Sequence, residues 1–294
     1  MAKIIGDKGK STFDPDLARE INEKFEAQKR KQAIEEKLNT KKEPEIITPN
    51  TQFNTDDFIQ LDIDGLYGNK ALISPYELQG FNNLNYNNTH EKLIANGLYM
   101  PTPEIFMHFF MKIINAYDNS SKVYDTKGNQ LSTQKITDMY KHLTTTYLNI
   151  YNVPSREGVW TWLNSKYKKI NNILNRELVT GFHEGLLITK TEPLGAFLQN
   201  DCFVDLKFNK QGLPTQKSVN QNYEQGKNIK FYSPVDGWVA RFVVGSGRAS
   251  LVCGRNPDNS NPALGVFGCC EATPKNKSKI QKLTLEQRLE FLKE

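Results

Sequence analysis

The sequence predicts an α+β protein, and three observations carry that prediction. Helix signals crowd into the chain up to Tyr167. Short strand signals follow from Leu186 onward. The two kinds do not alternate as the βαβ units of a parallel sheet would. At 294 residues the chain is long enough for one large domain with appendages. We divide it into a charged extension and linker at 1–50, a folded domain at 51–272 and a basic tail at 273–294.

Asp14 to Glu45 is dense in Lys, Arg and Glu, with Asp14-Pro15-Asp16 as a helix start. Leu17, Ile21 and Phe25 recur at helical spacing, and Ile34 and Leu38 add a second pair. The apolar stripe is thin and opposite charges interleave, as on a solvated helix. An N-terminal charged helical extension is therefore expected, either solvated or able to join copies into an oligomer. Glu43 to Asn50, with Pro44 and Pro49, reads as the linker that ends it.

In the folded domain, Phe58 to Ile63 alternates apolar with polar residues, the period of a half-buried strand. Gly65 to Asn69 is a turn and Ala71 to Ser74 a return strand. Asn88 and Glu91 form a capping-box-like helix start, with Asn96-Gly97 as its end. Thr102-Pro103-Glu104 is a stronger start, and the apolar run from Ile105 to Ile114 marks a buried central helix. Ser132 caps another helix carrying Met139, Leu143, Tyr147 and Leu148. Trp160, Trp162, Leu163 and Tyr167 are expected on a core-facing helix. Strands are expected at Leu186 to Thr189, Cys202 to Leu206 and Ile229 to Tyr232. Thr284 and Gln287 open a short amphipathic helix in the tail.

Gly237 to Glu271 stands apart. It reads as three strands, Val239 to Val244, Arg248 to Cys253 and Leu264 to Cys269, joined by turn-rich connections. From Val239 to Cys270 there is no Lys, Glu, Gln, Met or Trp, although most of those types abound elsewhere.

Catalytic signatures are missing. No Walker loop, G-x-G-x-x-G, H-E-x-x-H or G-x-S-x-G motif occurs. His90, His108, His142 and His183 are scattered, and His108 is expected as a hydrogen-bonded core histidine in its apolar helix. Asp62 and Asp64 alternate on a strand, which favours a solvated face over a metal site. Of the four cysteines, Cys202, Cys253, Cys269 and Cys270, none forms a C-x-x-C pair; buried structural thiols are expected. Arg241, Arg248 and Arg255 recur every seven residues. They need not share a face, and with no aromatic residues interleaved they do not suggest nucleic acid. The charge of +5 is modest. No apolar run reaches membrane-spanning length, and Met1 to Phe13 carries no signal-peptide core. A cytoplasmic location is the default, with a surface or virion location left open. No metal or cofactor is expected.

The C-terminal stretch resembles the variable region of proteins diversified by archaeal (Nanoarchaeota-type) retroelements, the archaeal variable protein A type. The residues that carry the resemblance are Trp238 to Phe242, Ser246, Arg248-Ala249, Leu251, Cys253, Pro257, Ser260 and Leu264 to Phe267. Asn200 to Leu206, Gln211 to Thr215, Gln225 to Ile229 and Met100 to Glu104 add to it. The resemblance implies a C-type lectin-like fold whose last strands display exchangeable side chains. It also implies that adenines in the variable codons are rewritten by error-prone copying of a template repeat. Asparagine-type codons so rewritten never yield Lys, Glu, Gln, Met or Trp, the set missing here. The implied variable, ligand-contacting positions are Val243, Gly245, Gly247, Ser250, Val252, Gly254, Asn256, Asp258, Asn259, Asn261, Pro262 and Ala263. The implied function is non-catalytic recognition of a protein or cell-surface macromolecule, with no nucleic acid. The alternatives are an enzyme on the related formylglycine-generating fold, which would need reactive cysteines or a metal triad, and a receptor-binding virion protein.

Overall fold

The computed structural model describes residues 53–145, 158–245 and 247–272. The expected helices at 14–45 and after Thr284, the linker, Tyr147, Leu148 and Ser246 lie outside them. The described residues form an α+β fold of three helices and ten strands in two sheets.

A small sheet is made by β1 (Ile59–Asp64), β2 (Lys70–Ile73) and β10 (Cys269–Glu271), in the order β1-β2-β10. Three helices follow β2: α1 (Tyr86–Ala95), α2 (Pro103–Tyr117) and α3 (Thr133–Thr144). The large sheet holds β3 (Trp160–Ile170), β4 (Ile173–His183), β5 (Leu186–Pro193), β6 (Cys202–Asp205), β7 (Asn228–Tyr232), β8 (Val239–Gly245) and β9 (Arg248–Arg255). Its order is β5-β4-β3-β8-β9-β7-β6, and every pairing is antiparallel except β7 with β9.

The helix starts follow from capping chemistry. Thr102 accepts a hydrogen bond from the Ile105 amide at 3.3 Å and Pro103 fills the first helical position. Ser132 likewise accepts from the Lys135 amide at 3.2 Å. The α1 cap is Asn85 rather than Asn88: the Asn85 side chain accepts from the Asn88 amide at 2.8 Å, so the helix begins earlier than the capping-box pattern suggested. His108 also departs from expectation. It is exposed, and its Nδ1 lies 3.0 Å from the Glu104 carbonyl oxygen, one turn back on the same helix. Asp62 and Asp64 are exposed and pair with Lys112 and Lys70, as a solvated strand face would.

The segment from Trp160 to Tyr167 is a strand, not a helix. Its side chains are covered on both faces, so the period-two alternation that betrays a strand is absent. Its aromatic content suits a pleated surface as well as a helix. The neighbouring strand β4 was not foreseen. It is reached by a two-residue turn at Asn171-Asn172, with φ of 50° and 63°. The next turn, Glu184-Gly185, has φ of 49° and 78°. Two successive positive values are the signature of the hairpin turn whose twist matches that of the strands.

The third C-terminal strand is also shorter than expected. Only Cys269–Glu271 pairs as a strand, and it does so with β2 in the small sheet. Leu264 to Gly268 runs as a strap between the two sheets. The Gly265 amide donates to the Trp160 carbonyl at 2.7 Å, and the Leu78 amide donates to the Val266 carbonyl at 2.8 Å. Leu264, Val266 and Phe267 are buried along it.

Two apolar clusters hold these layers. One lies beneath β8 and β9, where Phe242, Val244, Ala249, Leu251 and Cys253 meet α2. The Phe106 and Phe110 rings stand 4.9 and 5.2 Å from the Phe242 ring, centre to centre. Each aromatic buried this way contributes about 1.5–3 kcal/mol by removal from water. The second cluster joins Trp162 and Val239 to Leu264, Val266 and residues of α1.

Candidate binding surface on strands β8 and β9

Side chains alternate faces along a strand, and β8 and β9 obey this closely. Ala240, Phe242 and Val244 on β8, with Ala249, Leu251 and Cys253 on β9, point into the core and are at most 1% exposed. Arg241, Val243, Gly245, Arg248, Val252 and Gly254 take the opposite face and are partly exposed. Register brings them together: Arg241 lies opposite Val252, Val243 opposite Ser250, and Gly245 opposite Arg248. Five of the predicted positions, Val243, Gly245, Ser250, Val252 and Gly254, therefore share one face.

Ser250 is on that face but is 6% exposed, which corrects the expectation that it stands free. It sits mid-sheet between Val243 on β8 and Lys230 on β7, and its short side chain ends below theirs. The glycines differ. A Cβ at Gly245 would meet only the Trp160 indole nitrogen at 3.6 Å, an ordinary contact, whereas one at Gly254 would crowd Val235 at 3.2 Å. Gly247 has φ of +80°, so its turn requires a residue without a Cβ.

The remaining positions, Asn256, Asp258, Asn259, Asn261, Pro262 and Ala263, lie on the loop after β9. Two of them shape that loop. Asn256 accepts from the Asp258 amide at 3.0 Å, and Asn261 accepts from the Ala263 amide at 2.8 Å. Such side-chain turns replace backbone hydrogen bonds that an irregular segment lacks. Pro257 ties the loop to α1, its carbonyl accepting from the Tyr86 amide at 3.0 Å. With its amide oriented to satisfy both groups, Asn259 accepts from Nε of Arg255 at 2.9 Å and also from Nη2.

The outer face carries more than the C-terminal segment suggested. Arg241 and Arg248 do share it, and aromatic residues from other strands interleave with the cations, contrary to the sequence expectation. The Arg241 guanidinium carbon lies 5.3 Å from the Trp160 ring centre. Lys230 Nζ is 5.1 Å from the Phe203 ring and 5.8 Å from that of Tyr232. Arg248 donates to the Tyr232 hydroxyl at 2.9 Å. Trp160, Phe203, Lys230 and Tyr232 were missed because β3, β6 and β7 lie far away in sequence. Pairing alone assembles them: Phe203 opposite Lys230, Lys230 beside Ser250, and Trp160 opposite Val243.

Electrostatics single out Arg241. Its Nε and Nη1 are buried without a hydrogen-bond partner. Burial, and then the nearby Arg255 charge, lower its pKa to about 10. Among the described residues, none of Lys230, Arg241, Arg248 and Arg255 forms an ion pair with a carboxylate.

The thiols lie elsewhere. Cys202, Cys253 and Cys269 are buried and unbonded to one another, and Cys270 is partly covered. Burial raises the Cys253 and Cys270 thiols to about 12 and pushes Cys269 well above the usual thiol range. Among the described residues, no three His, Cys, Asp or Glu side chains converge as metal ligands. No described helix is long and apolar enough to cross a membrane. No family model, curated protein or solved structure matches the chain.

Proposed function

We propose that the chain is a non-catalytic binding protein on a C-type lectin-like fold, whose β8–β9 face and following loop are diversified by a retroelement. The observation that carries this reading is the division of β8 and β9 into two faces. Every inward residue from Ala240 to Cys253 is large enough, or enclosed enough, to be fixed by the core. The outward residues Val243, Gly245 and Val252 make no side-chain hydrogen bonds that the fold depends on. A segment built this way can change its outer residues while keeping its stability. The ligand is a protein or cell-surface macromolecule, since the face is a broad strand surface. The enzymatic alternative would need reactive cysteines or a metal triad, and burial works against thiolate formation at Cys253, Cys269 and Cys270.

The test lies in the DNA around the gene. The reading expects a template repeat that differs from the gene at adenines, within codons for the outward positions, beside a reverse-transcriptase gene. Absence of such a repeat, or differences spread evenly over all four bases, overturns it.

A further inference from the structure

Three cations gather on the outer face of β7, β8 and β9, and none of them forms an ion pair among the described residues: Lys230, Arg241 and Arg248. The imbalance is most acute at Arg241. Two of its guanidinium nitrogens are enclosed and unpartnered, and its neighbours across the strand are Trp162 and Val252, neither of which carries a charge. A buried, unpaired cation is costly, and the usual remedy is an anion close by. Nη2 is the Arg241 nitrogen outside this enclosure. The residues between the cations are short, namely Val243, Gly245, Ser250 and Val252, so the longer charged side chains are the ones that an incoming partner meets first.

We infer that this face docks an acidic protein segment, its carboxylates seated at Arg241 and between Arg248 and Lys230. The inference rests on reading the face as the ligand-binding surface. It adds a fixed element to it, because none of Lys230, Arg241 and Arg248 is among the positions expected to vary. Carboxylates are favoured over a nucleic-acid strand by the state of the rings. Arg241 covers Trp160, and Lys230 lies near both Phe203 and Tyr232. Rings occupied by cations are not open for bases to stack on. At Arg241 a carboxylate would meet Nη2 alone, since Nε and Nη1 are enclosed, and such charge-assisted bonds strengthen where water is excluded.

The test uses the full chain and fluorescence anisotropy of a labelled hexaglutamate peptide in low salt, with labelled oligothymidylate measured in parallel. Saturable hexaglutamate binding that weakens as salt rises is expected. The Lys230→Gln/Arg248→Gln double variant should bind about tenfold more weakly, and Arg241→Gln at least as much so. A Lys190→Gln control on β5, the far edge strand of the sheet, should bind as the parent does. Melting by circular dichroism identifies folded variants, and the double variant, at partly exposed positions, decides the matter if Arg241→Gln does not fold. Absence of saturable hexaglutamate binding overturns the inference. So does binding unchanged in the folded double variant, or tighter binding of oligothymidylate. A gene with the adenine pattern, encoding a protein that ignores hexaglutamate, would retain the binding-protein reading and discard this one.

Discussion

The Tyr167 hydroxyl donates to Cys253 Sγ at 3.1 Å, joining β3 to β9 across the intervening strand β8. Both residues are fully buried. The strand between them is narrow there because Ala240 supplies only a methyl group toward the same cluster. The contact locks the open end of the three central strands. Tyr167→Phe should lower stability by about 1 kcal/mol in urea unfolding, since a sulfur acceptor left unpaired costs less than an oxygen. An unchanged midpoint would show that the hydroxyl finds no partner in solution.

The thiols should be silent in the native state. Burial raises Cys253 and Cys270 to about 12 and pushes Cys269 well above the usual thiol range, so little thiolate exists at neutral pH. Native titration with a thiol reagent near neutrality should be slow, and unfolding in guanidinium should release all four cysteines at once. For Cys270, the one partly exposed thiol, the rate should keep climbing with pH and show no plateau below about 10. A single fast thiol at pH 7 would reopen the enzymatic alternative.

The two faces of β8 and β9 should respond oppositely to substitution. Val243→Thr and Gly245→Ser should shift stability by no more than about 0.5 kcal/mol. Leu251→Asp and Phe242→Asp should prevent folding, because each would bury an unpaired carboxylate. Comparable losses on both faces, measured by thermal melting, would abolish the distinction on which the binding surface depends.

Gly247 and Gly245 separate a backbone requirement from mere smallness. Gly247→Ala forces a Cβ onto a residue at φ of +80° and should cost about 1 kcal/mol. Gly245→Ala makes only an ordinary contact with the Trp160 indole nitrogen at 3.6 Å and should cost nothing measurable. Equal effects would mean that the turn relaxes to accommodate a side chain.

Acid stability should pass through Glu192. Burial raises its carboxyl pKa, but hydrogen bonding from Gln211 and the charge and hydrogen bond of Arg176 outweigh that, leaving it lower than an ordinary glutamate. Arg176 Nε donates to it at 2.7 Å and Gln211 Nε2 at 2.9 Å. A pKa lowered by folding contributes stability above the unfolded value and loses it as pH falls through the folded one. Glu192→Gln should therefore be less stable than the parent at pH 7, with the gap closing below about pH 4. A gap independent of pH would assign the loss to packing instead.

Much of the fold is legible in the chain where a local rule acts alone. Thr102 and Ser132 name their helices by capping chemistry, and the alternation from Val239 to Cys253 names two strands and both their faces. The misreadings come from residues governed by tertiary context. Trp160 to Tyr167 loses its alternation because apolar groups cover both sides, although Asn171-Asn172 between two apolar runs was a hairpin signal to be found. Leu264 to Gly268 looks like a strand because it is apolar, yet its hydrogen-bonding groups are shared between two sheets. The cations of the candidate surface were visible, but their companions Trp160, Phe203 and Tyr232 come from three other strands, and only the register unites them.

The strap from Leu264 to Gly268 has a consequence for how the segment can change. It is anchored at both ends: β9 ends at Arg255 in the large sheet, and Cys269 is registered against Ile73 in the small one. Between these anchors Pro257, Gly265 and Val266 are each tied by backbone hydrogen bonds. Within Leu264 to Gly268, one residue added or removed would turn Phe267 out of the core, or slip Cys269 along β2. The number of residues in the strap is therefore fixed by its ties to Trp160, Leu78 and Ser74, and a change of length would have to be absorbed by the partly exposed loop at 256–263 before it.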